Sequence, residues 1–226
     1  MQRVLAALSA AFVLPRSHSP ARARVAVNRA YRCTAPVRMP EGPEVTVHAE
    51  TLNATLRGQQ LRGARILSGR YIGNGSVAGR SAPPEGWKVL QDALPTTVLS
   101  VHSHGKFMWW RLGPSLTMWS TLGMSGAWSL LPSAHARIGL QLRAADGRDW
   151  PLFYNDQRNF GTVTVCSDDS LLQEKLRTLG PSWLAEDGLC LDAFIAVVRR
   201  QCATKRSANV AVAKFLMDQR KTAGIG

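Results

Sequence analysis

Five short segments combine charged or apolar side chains with glycine, in an order and spacing that could serve one site. They supply a carboxylate that can exchange protons, and cationic groups that can contact an anion. Taken singly, each is typical of an ordinary feature; the first favours a turn and a helix start. The segments are Pro40-Glu41-Gly42-Pro43-Glu44, Ser103-His104-Gly105-Lys106-Phe107, Leu122-Gly123-Met124-Ser125-Gly126, Asn155-Asp156-Gln157-Arg158-Asn159-Phe160-Gly161, and Leu216-Met217-Asp218-Gln219 running into Ala223-Gly224-Ile225-Gly226.

The formal net charge of +13 indicates a polyanionic partner, either nucleic acid or an anionic membrane surface. The charge is unevenly spread, because residues 1–38 hold seven of the 28 basic residues and no acidic residue. The remaining chain therefore carries 21 basic and 15 acidic groups, or +6. That moderate excess is also compatible with simple solubility.

The cysteine pattern predicts no metal site, because none of the four cysteines forms the closely spaced pair typical of zinc ligands. The three cysteines after residue 38 also form no disulfide framework, which favours a reducing compartment.

Residues 1–38, the leader, are rich in Arg, Ala and Ser and free of acid, as is typical of a disordered and later removed organelle transit peptide. The apolar stretch 4–14 is too short to span a bilayer but could be the hydrophobic part of a signal peptide that precedes a plastid transit segment. We expect a mitochondrial or plastid location. If the start codon is misplaced and translation begins at Met39, the nucleus becomes the alternative.

The elements that would position these segments can be predicted from periodicity. Apolar residues at a 3.6-residue period predict a helix after Glu41, ended by Gly58. Eight short strands then predict an α+β fold with an N-terminal two-layer β-sandwich flanked by helices. The helix face comprises Val45, Ala49, Leu52 and Leu56, and the strands are Leu61–Leu67, Thr97–His102, Lys106–Leu112, Leu116–Trp119, Ala127–Leu131, Ile138–Arg143, Trp150–Tyr154 and Thr162–Val165.

The pattern changes to helical near residue 168, which predicts a domain at 39–167 followed by a second at 168–226. Three helices are expected in the second domain, at Ser170–Thr178, Leu191–Arg200 and Val210–Gln219. A basic, glycine-bearing turn follows the last helix. A terminal helix and turn form an incomplete motif, because the helix has no partner to cover its apolar face.

Together, the five segments resemble the formamidopyrimidine-DNA glycosylase/endonuclease VIII family, and residues 40–44 with Arg158-Asn159-Phe160-Gly161 favour the endonuclease VIII-like branch. The resemblance covers residues 40–226. It implies a bifunctional DNA glycosylase and AP lyase of base excision repair, which removes oxidised bases and cleaves the strand at the emptied sugar. The implied partner is damaged double-stranded DNA, bound by a monomer, with no membrane partner for the mature form.

The resemblance makes Pro40 the nucleophile. A free proline amine can attack C1′ of the deoxyribose, expel the base and leave an iminium ion (a Schiff base), which drives β- and often δ-elimination. An α-amino group titrates near pH ~8, so part of it is unprotonated at neutral pH. While Met39 is attached, however, the Pro40 nitrogen is an amide and cannot attack. We therefore expect the 226-residue precursor to be inactive as a lyase.

The resemblance also assigns Glu41 as the general acid/base, acting at the sugar ring oxygen, and Lys106 as the contact to the phosphate beside the lesion. The ordinary alternatives are a helix-start acid facing the helix dipole and a solvated lysine at the start of a strand. Glu44 keeps the helix-start role.

Three loop side chains are implied to fill the gap when a nucleotide is flipped out of the duplex: Met124, Arg158 and Phe160. Met124 and Phe160 could instead belong to a core, whereas Arg158 is harder to bury. Many family members have a second Arg where this chain has Asn159, a departure that bears on lesion preference.

The last segment resembles the family's helix–two-turn–helix motif, in which Gly224 and Gly226 would offer backbone amides to phosphate. Lys214, Arg220 and Lys221 could reach phosphate or form a solvated face. The second helix and the finger of the family, zinc-bound in many members, would lie beyond residue 226, so no cofactor is expected in this chain. We expect an incomplete gene product or fragment; the alternative is a short form that binds DNA weakly.

Two other functions remain open from the sequence. One is a catalytically silent DNA-binding remnant, disabled by a blocked Pro40 or by the missing C-terminal part. The other is an unrelated basic organelle protein, such as a ribosome-associated module, which would lack a pocket joining Pro40, Glu41 and Lys106.

Overall fold

The computed structural model describes residues 39–72, 82–184 and 188–225. The expected leader and Gly226 lie outside the described residues. Among the described residues, no helix has the length and apolar character needed to cross a membrane. The same residues hold no group of three or more His, Cys, Asp or Glu side chains able to bind a metal ion.

The first helix, α1 (Gly42–Leu56), follows directly from the sequence pattern. Its buried face comprises the four predicted apolar residues together with Gly42. At its N-terminus, the Glu44 carboxylate accepts a hydrogen bond from the Glu41 backbone N–H at 3.0 Å, which satisfies a donor that the helix leaves free. Gly58, at φ +82°, turns the chain out of the helix.

All eight predicted strands are present and pair antiparallel in the order β5-β7-β6-β1-β2-β3-β4-β8. β1 and β2 share only a short pairing, Gln60 with Thr97 and Leu61 with Thr96, so this junction divides the sheet into two four-stranded halves. The strands are β1 (Gln60–Ile66), β2 (Thr96–His104), β3 (Phe107–Leu112), β4 (Leu116–Thr121), β5 (Gly126–Ser129), β6 (Ala136–Arg143), β7 (Asp149–Asp156) and β8 (Thr162–Cys166).

The two halves pack face to face, which confirms the two-layer sandwich. The rings of Trp110 and Trp128, from opposite halves, have centroids 5.0 Å apart. Trp128 Nε1 donates to Ser120 Oγ at 3.2 Å, and the Tyr154 hydroxyl donates to the Thr121 carbonyl at 3.0 Å. These large buried aromatic side chains form the centre of the core.

The helices differ from expectation in two places. An unpredicted short helix, α2 (Trp87–Asp92), packs its buried Trp87 and Leu90 against the sandwich; six residues are too few to give a clear helical period. The helix predicted at Val210–Gln219 is shorter than expected, and a second unpredicted helix precedes it. A short helix α5 (Lys205–Ala208), capped by the Thr204 hydroxyl, precedes α6 (Val212–Met217), which ends where Asp218 adopts extended backbone.

The C-terminal helices α3 (Asp169–Arg177) and α4 (Leu191–Gln201) lie close to their predicted positions. Trp183, Phe194 and Phe215 form a small aromatic cluster, with successive ring centroids 5.3 and 6.4 Å apart. From this cluster the chain returns to the sandwich through residues 219–225, the C-terminal turn. Ser182 forms an isolated β-bridge with Ala223 of this turn, and Gly180 N–H donates to the Gln219 carbonyl at 2.8 Å.

Candidate active site

Pro40 is buried immediately before helix α1. The backbone N–H of Met39 donates to the Met124 carbonyl at 2.8 Å, and Met39 has a positive φ of 64°. The segment entering the helix is therefore tied to the turn that carries Met124. This contact places the Pro40 backbone nitrogen beside the turn.

Lys106 lies in the tight turn between β2 and β3, directly after Gly105, which has φ +57°. Its ammonium forms an ion pair with the Glu41 carboxylate. The two side chains are 39% and 29% exposed, so the pair is open to water on one side, where a competing anion could reach the ammonium. The helix start and the strand turn thus bring together two predicted site residues that are 65 positions apart in sequence.

A cavity of about 270 Å³ opens at this point. Pro40 and Lys106 both line it, and Glu41 is held beside it through the ion pair. Two of the three predicted catalytic residues therefore line one cavity, and the third pairs with Lys106 at its edge. The remaining lining residues are Val45, His104, Phe107, Thr121, Leu122, Gly123, Lys175, Leu179 and Gln219.

Three residues at the cavity make contacts that were not predicted from the sequence. His104 Nε2 lies 2.7 Å from the Gly180 carbonyl and joins the strand turn to the C-terminal segment. Lys175, an exposed residue of α3, places its ammonium 5.6 Å from the centroid of the Phe107 ring. Gln219 donates to the Ile225 carbonyl at 2.7 Å and so holds the C-terminal turn at the cavity wall. None of these roles has a local sequence signal.

Met124, Arg158 and Phe160 lie together on neighbouring loops beside the cavity. Arg158 Nη1 is 3.4 Å from Met124 Sδ, and the Phe160 side chain is 60% exposed. Arg158 is exposed and Met124 half-buried, so the core interpretation of Met124 and Phe160 does not describe them. An exposed aromatic ring, a thioether and a guanidinium thus form one projecting cluster.

A buried carboxylate lies beneath this cluster. Asp156 is 1% exposed and accepts hydrogen bonds from the Ser125 hydroxyl at 2.7 Å and from Gly161 N–H at 2.8 Å. Ser125 Oγ in turn accepts from the Arg158 backbone N–H at 2.9 Å. The motif quoted from the sequence contains Asp156, but its burial and its partners could not be read from the pattern.

The predicted phosphate-contacting residues of the C-terminal part are placed differently from one another. Lys214 and Lys221 line a second cavity of about 380 Å³, between the C-terminal helices. Arg220 instead forms a two-point ion pair with Asp218, at 2.9 and 3.0 Å, and this guanidinium lowers the pKa of the Asp218 carboxyl. The amide of buried Gly224 donates within the protein, to Gln219 Oε1 at 3.3 Å.

The fold and site define an α+β protein whose first helix begins at a cavity shared by a proline, a carboxylate and a lysine. Residues 39–163 match the sequence model of the formamidopyrimidine-DNA glycosylase N-terminal domain. The chain belongs to the formamidopyrimidine-DNA glycosylase/endonuclease VIII family.

Curated relatives agree with this membership. The chain is 29% identical over 194 residues to the formamidopyrimidine-DNA glycosylase of Lactiplantibacillus plantarum, covering 83% of this chain and 63% of the relative. It is 32% identical over 189 residues to that of Thermus thermophilus, covering 83% of this chain and 60% of the relative. The chain thus spans about three fifths of the length of these relatives. Assignment to the endonuclease VIII-like branch stays a prediction.

Solved structures share the fold. Lactococcus lactis Fpg in complex with DNA containing N7-benzyl-Fapy-dG superposes with a TM-score of 0.63 at 22% identity, covering 83% of this chain and 63% of that one. The same protein bound non-covalently to DNA with an AP site gives a TM-score of 0.64, also at 22% identity, covering 83% of this chain and 64% of that one.

Proposed function

We propose that this chain carries the catalytic part of a bifunctional DNA glycosylase and AP lyase that excises oxidised bases from double-stranded DNA, with the Pro40 amine as nucleophile. The observation that carries the proposal is the convergence of Pro40, Glu41 and Lys106 at one cavity. Family membership and the DNA present in the related Lactococcus lactis structures support the choice of DNA as partner.

The chemistry requires a free secondary amine at Pro40. The nitrogen lone pair attacks C1′ of the deoxyribose and the glycosidic bond breaks. The departing base takes the electron pair and a proton from water, and the attacking amine gives its own proton to Glu41. Ring opening then leaves an iminium ion between Pro40 and C1′. Loss of a C2′ proton drives electrons towards the 3′ C–O bond, which breaks and releases the 3′ phosphate. Water finally hydrolyses the Pro40 conjugate and restores the amine.

Glu41 and Lys106 serve this sequence as a pair. The ion pair holds the Glu41 carboxylate beside Lys106 at the cavity. There it can accept the proton that the attacking amine loses, pass it to the sugar ring oxygen, and move protons during elimination. The phosphate next to the lesion competes for the Lys106 ammonium, because a phosphate is a strong partner for a compact cation. Phosphate binding therefore frees Glu41 from its contact as the substrate arrives.

Met124, Arg158 and Phe160 open the duplex in this proposal. Two apolar side chains can occupy an emptied base stack, and a guanidinium can hydrogen-bond the base left without a partner. We further propose that the chain acts as a monomer, in a mitochondrion or plastid if the leader directs it there.

Trapping with borohydride tests the proposal, because reduction converts an iminium ion into a stable covalent adduct. The chain beginning at Pro40 is compared with a matched chain beginning at Met39, on duplex DNA with an abasic or oxidised-pyrimidine site. We expect an adduct with the Pro40 form alone. Equal adduct formation by the two forms would contradict the role of the free amine.

A catalytically silent DNA-binding form is the second candidate. The Met39 backbone favours this candidate. Its N–H donates a hydrogen bond to the Met124 carbonyl, and its carbonyl carbon is joined to the Pro40 nitrogen in a peptide bond, so that nitrogen cannot attack. If folded protein of both forms binds abasic DNA and neither gives an adduct, this candidate is preferred.

A further inference from the structure

We propose that Asp156 is a positioning residue that joins the Met124 turn to the Arg158–Phe160 loop, so that the three side chains enter duplex DNA as one rigid wedge. The inference rests on the proposed function, since it concerns how that function is carried out on paired DNA. Asp156 itself is too deeply buried to touch DNA.

The carboxylate makes one contact to each loop. Oδ1 accepts from the Ser125 hydroxyl at 2.7 Å, and Oδ2 accepts from the Gly161 backbone N–H at 2.8 Å. A carboxylate that is only 1% exposed is costly to bury unless donors surround it. Here each oxygen has a donor, and the donors come from opposite sides of the cluster.

Ser125 extends this link to the backbone of Arg158, whose N–H donates to Ser125 Oγ at 2.9 Å. The two loops also touch directly, because a Cβ added at Gly123 would lie 2.7 Å from the Gly161 nitrogen. On the other side of Asp156, Arg137 Nε donates to the Asp156 carbonyl at 2.8 Å and fixes the end of β7. The support beneath the cluster is therefore continuous.

The exposed cluster needs such support only against paired DNA. Flipping a nucleotide out of a duplex breaks stacking and pairing, which costs free energy. A wedge that yields would lose the contacts that offset this cost. A single strand has no stack to open, so its binding at Pro40 and Lys106 does not depend on the wedge. Loss of the Asp156 carboxylate should therefore weaken binding to duplex DNA and leave binding to a single strand unchanged.

Two variants of the full chain, Asp156→Asn and Ser125→Ala, test the inference, with Ser120→Ala as the matched control. Ser120 is 1% exposed, like Asp156, and accepts a hydrogen bond from Trp128 Nε1 at 3.2 Å, but it lies in the sandwich core. Affinity is measured for a duplex with an uncleavable abasic-site analogue and for the same strand unpaired. We expect Asp156→Asn to weaken duplex binding about tenfold or more and Ser125→Ala about threefold or more. Single-strand binding should stay unchanged, and Ser120→Ala should not alter the ratio of the two.

Loss of both affinities in the same proportion, or of neither, would overturn the inference and leave Asp156 a structural residue only. If thermal melting finds Asp156→Asn unfolded, Ser125→Ala decides the matter alone. Trapping of the unmodified Pro40 form on the single strand is measured separately. A missing adduct there speaks against the proposed function, whereas an unchanged duplex-to-single-strand ratio in the variants speaks against the wedge.

Discussion

The β-sandwich and the C-terminal helical part are built in different ways. The sandwich encloses large, fully buried side chains such as Trp110 and Trp128, whereas the helices leave Leu191 70%, Val212 71% and Met217 49% exposed. The predicted catalytic residues lie on the sandwich and the start of α1. Among the residues that the structure describes, the helical part lines the cavity only through α3, the segment that joins α3 to Gly180, and the C-terminal turn. The better-packed region thus holds the predicted catalytic residues in place, and the other region supplies a wall of the cavity.

The largest effect on adduct formation is expected from Gly224→Ala, a change in the C-terminal turn that would push the helical part away from the sandwich. Gly224 has φ +97°, and an added Cβ would lie 2.9 Å from Leu184 Cγ, so strain and overlap combine. Overpacking costs about 1–3 kcal/mol, and displacing a site by about 1 Å can slow a reaction roughly 100-fold. We expect adduct formation to slow by that order in single-turnover trapping.

Gly147→Ala is the matched control, because Gly147 has φ +82° but nothing within 4 Å of an added Cβ. It should carry the backbone strain alone and leave trapping unchanged. A similar loss in both variants would mean that the C-terminal turn does not support the site.

Phe215→Ala tests whether the helical part is the weaker region. Phe215 is buried against Phe194, and removal of a buried Phe costs about 3–5 kcal/mol. Hydrogen exchange should rise in α4 and α6 while the amides of β3, β4 and β6 stay protected. Uniform loss of protection through the sandwich would show that the two regions unfold together.

The pH dependence of the free energy of unfolding should depend on His48, a residue of α1 that packs against the sandwich. Burial lowers the pKa of His48 from 6.5 to about 4, and the Trp128 backbone N–H donates to its Nε2 at 3.0 Å. The unfolded chain therefore binds a proton below pH 6.5 that the folded chain takes up only near pH 4, so stability falls as the pH drops through this window. Between about pH 7 and pH 5 the loss from this residue is about 2 kcal/mol.

Urea unfolding at the two pH values measures this loss, and His48→Gln should remove it, because glutamine keeps an acceptor without a titrating ring. An unchanged pH slope in the variant would contradict the assignment to His48.

The smallest effects are expected for the cations of the helical part. If Lys214 and Lys221 each contact a phosphate, replacing either by Ala lowers the slope of log affinity against log salt by about 0.9. Arg220→Ala should change the slope less, because Asp218 already pairs with its guanidinium. Filter binding at several salt concentrations separates the three variants, and equal changes would refute the distinction.

Much of the framework could be predicted from the sequence because its elements are periodic and locally encoded. The four apolar residues of α1 and all eight strands have such patterns. Helices α2 and α5 have only six and four residues and were missed, because so short a helix shows no clear period. The last helix, α6, is shorter than predicted because Asp218 adopts extended backbone.

The residues of the candidate site likewise fall into those that sequence motifs predict and those whose roles depend on packing. Pro40, Glu41 and Lys106 belong to motifs and were predicted, and the structure brings them together. Asp156 lies inside a quoted motif, yet its importance depends on burial and on partners 5 and 31 positions away. Lys175 looks in sequence like any solvated helical lysine. Only the packing of α3 beside Phe107 places it at the cavity.

The central claim, that the Pro40 amine is the nucleophile, is tested most directly by locating the trapped adduct. The cavity offers three amines once Pro40 is freed: its own nitrogen and the ammonium groups of Lys106 and Lys175. The borohydride-reduced complex is digested and the residue carrying the sugar is identified by mass spectrometry. We predict the added mass on the peptide that begins at Pro40. An adduct on the peptide containing Lys106 or Lys175, with Pro40 unmodified, would contradict the account.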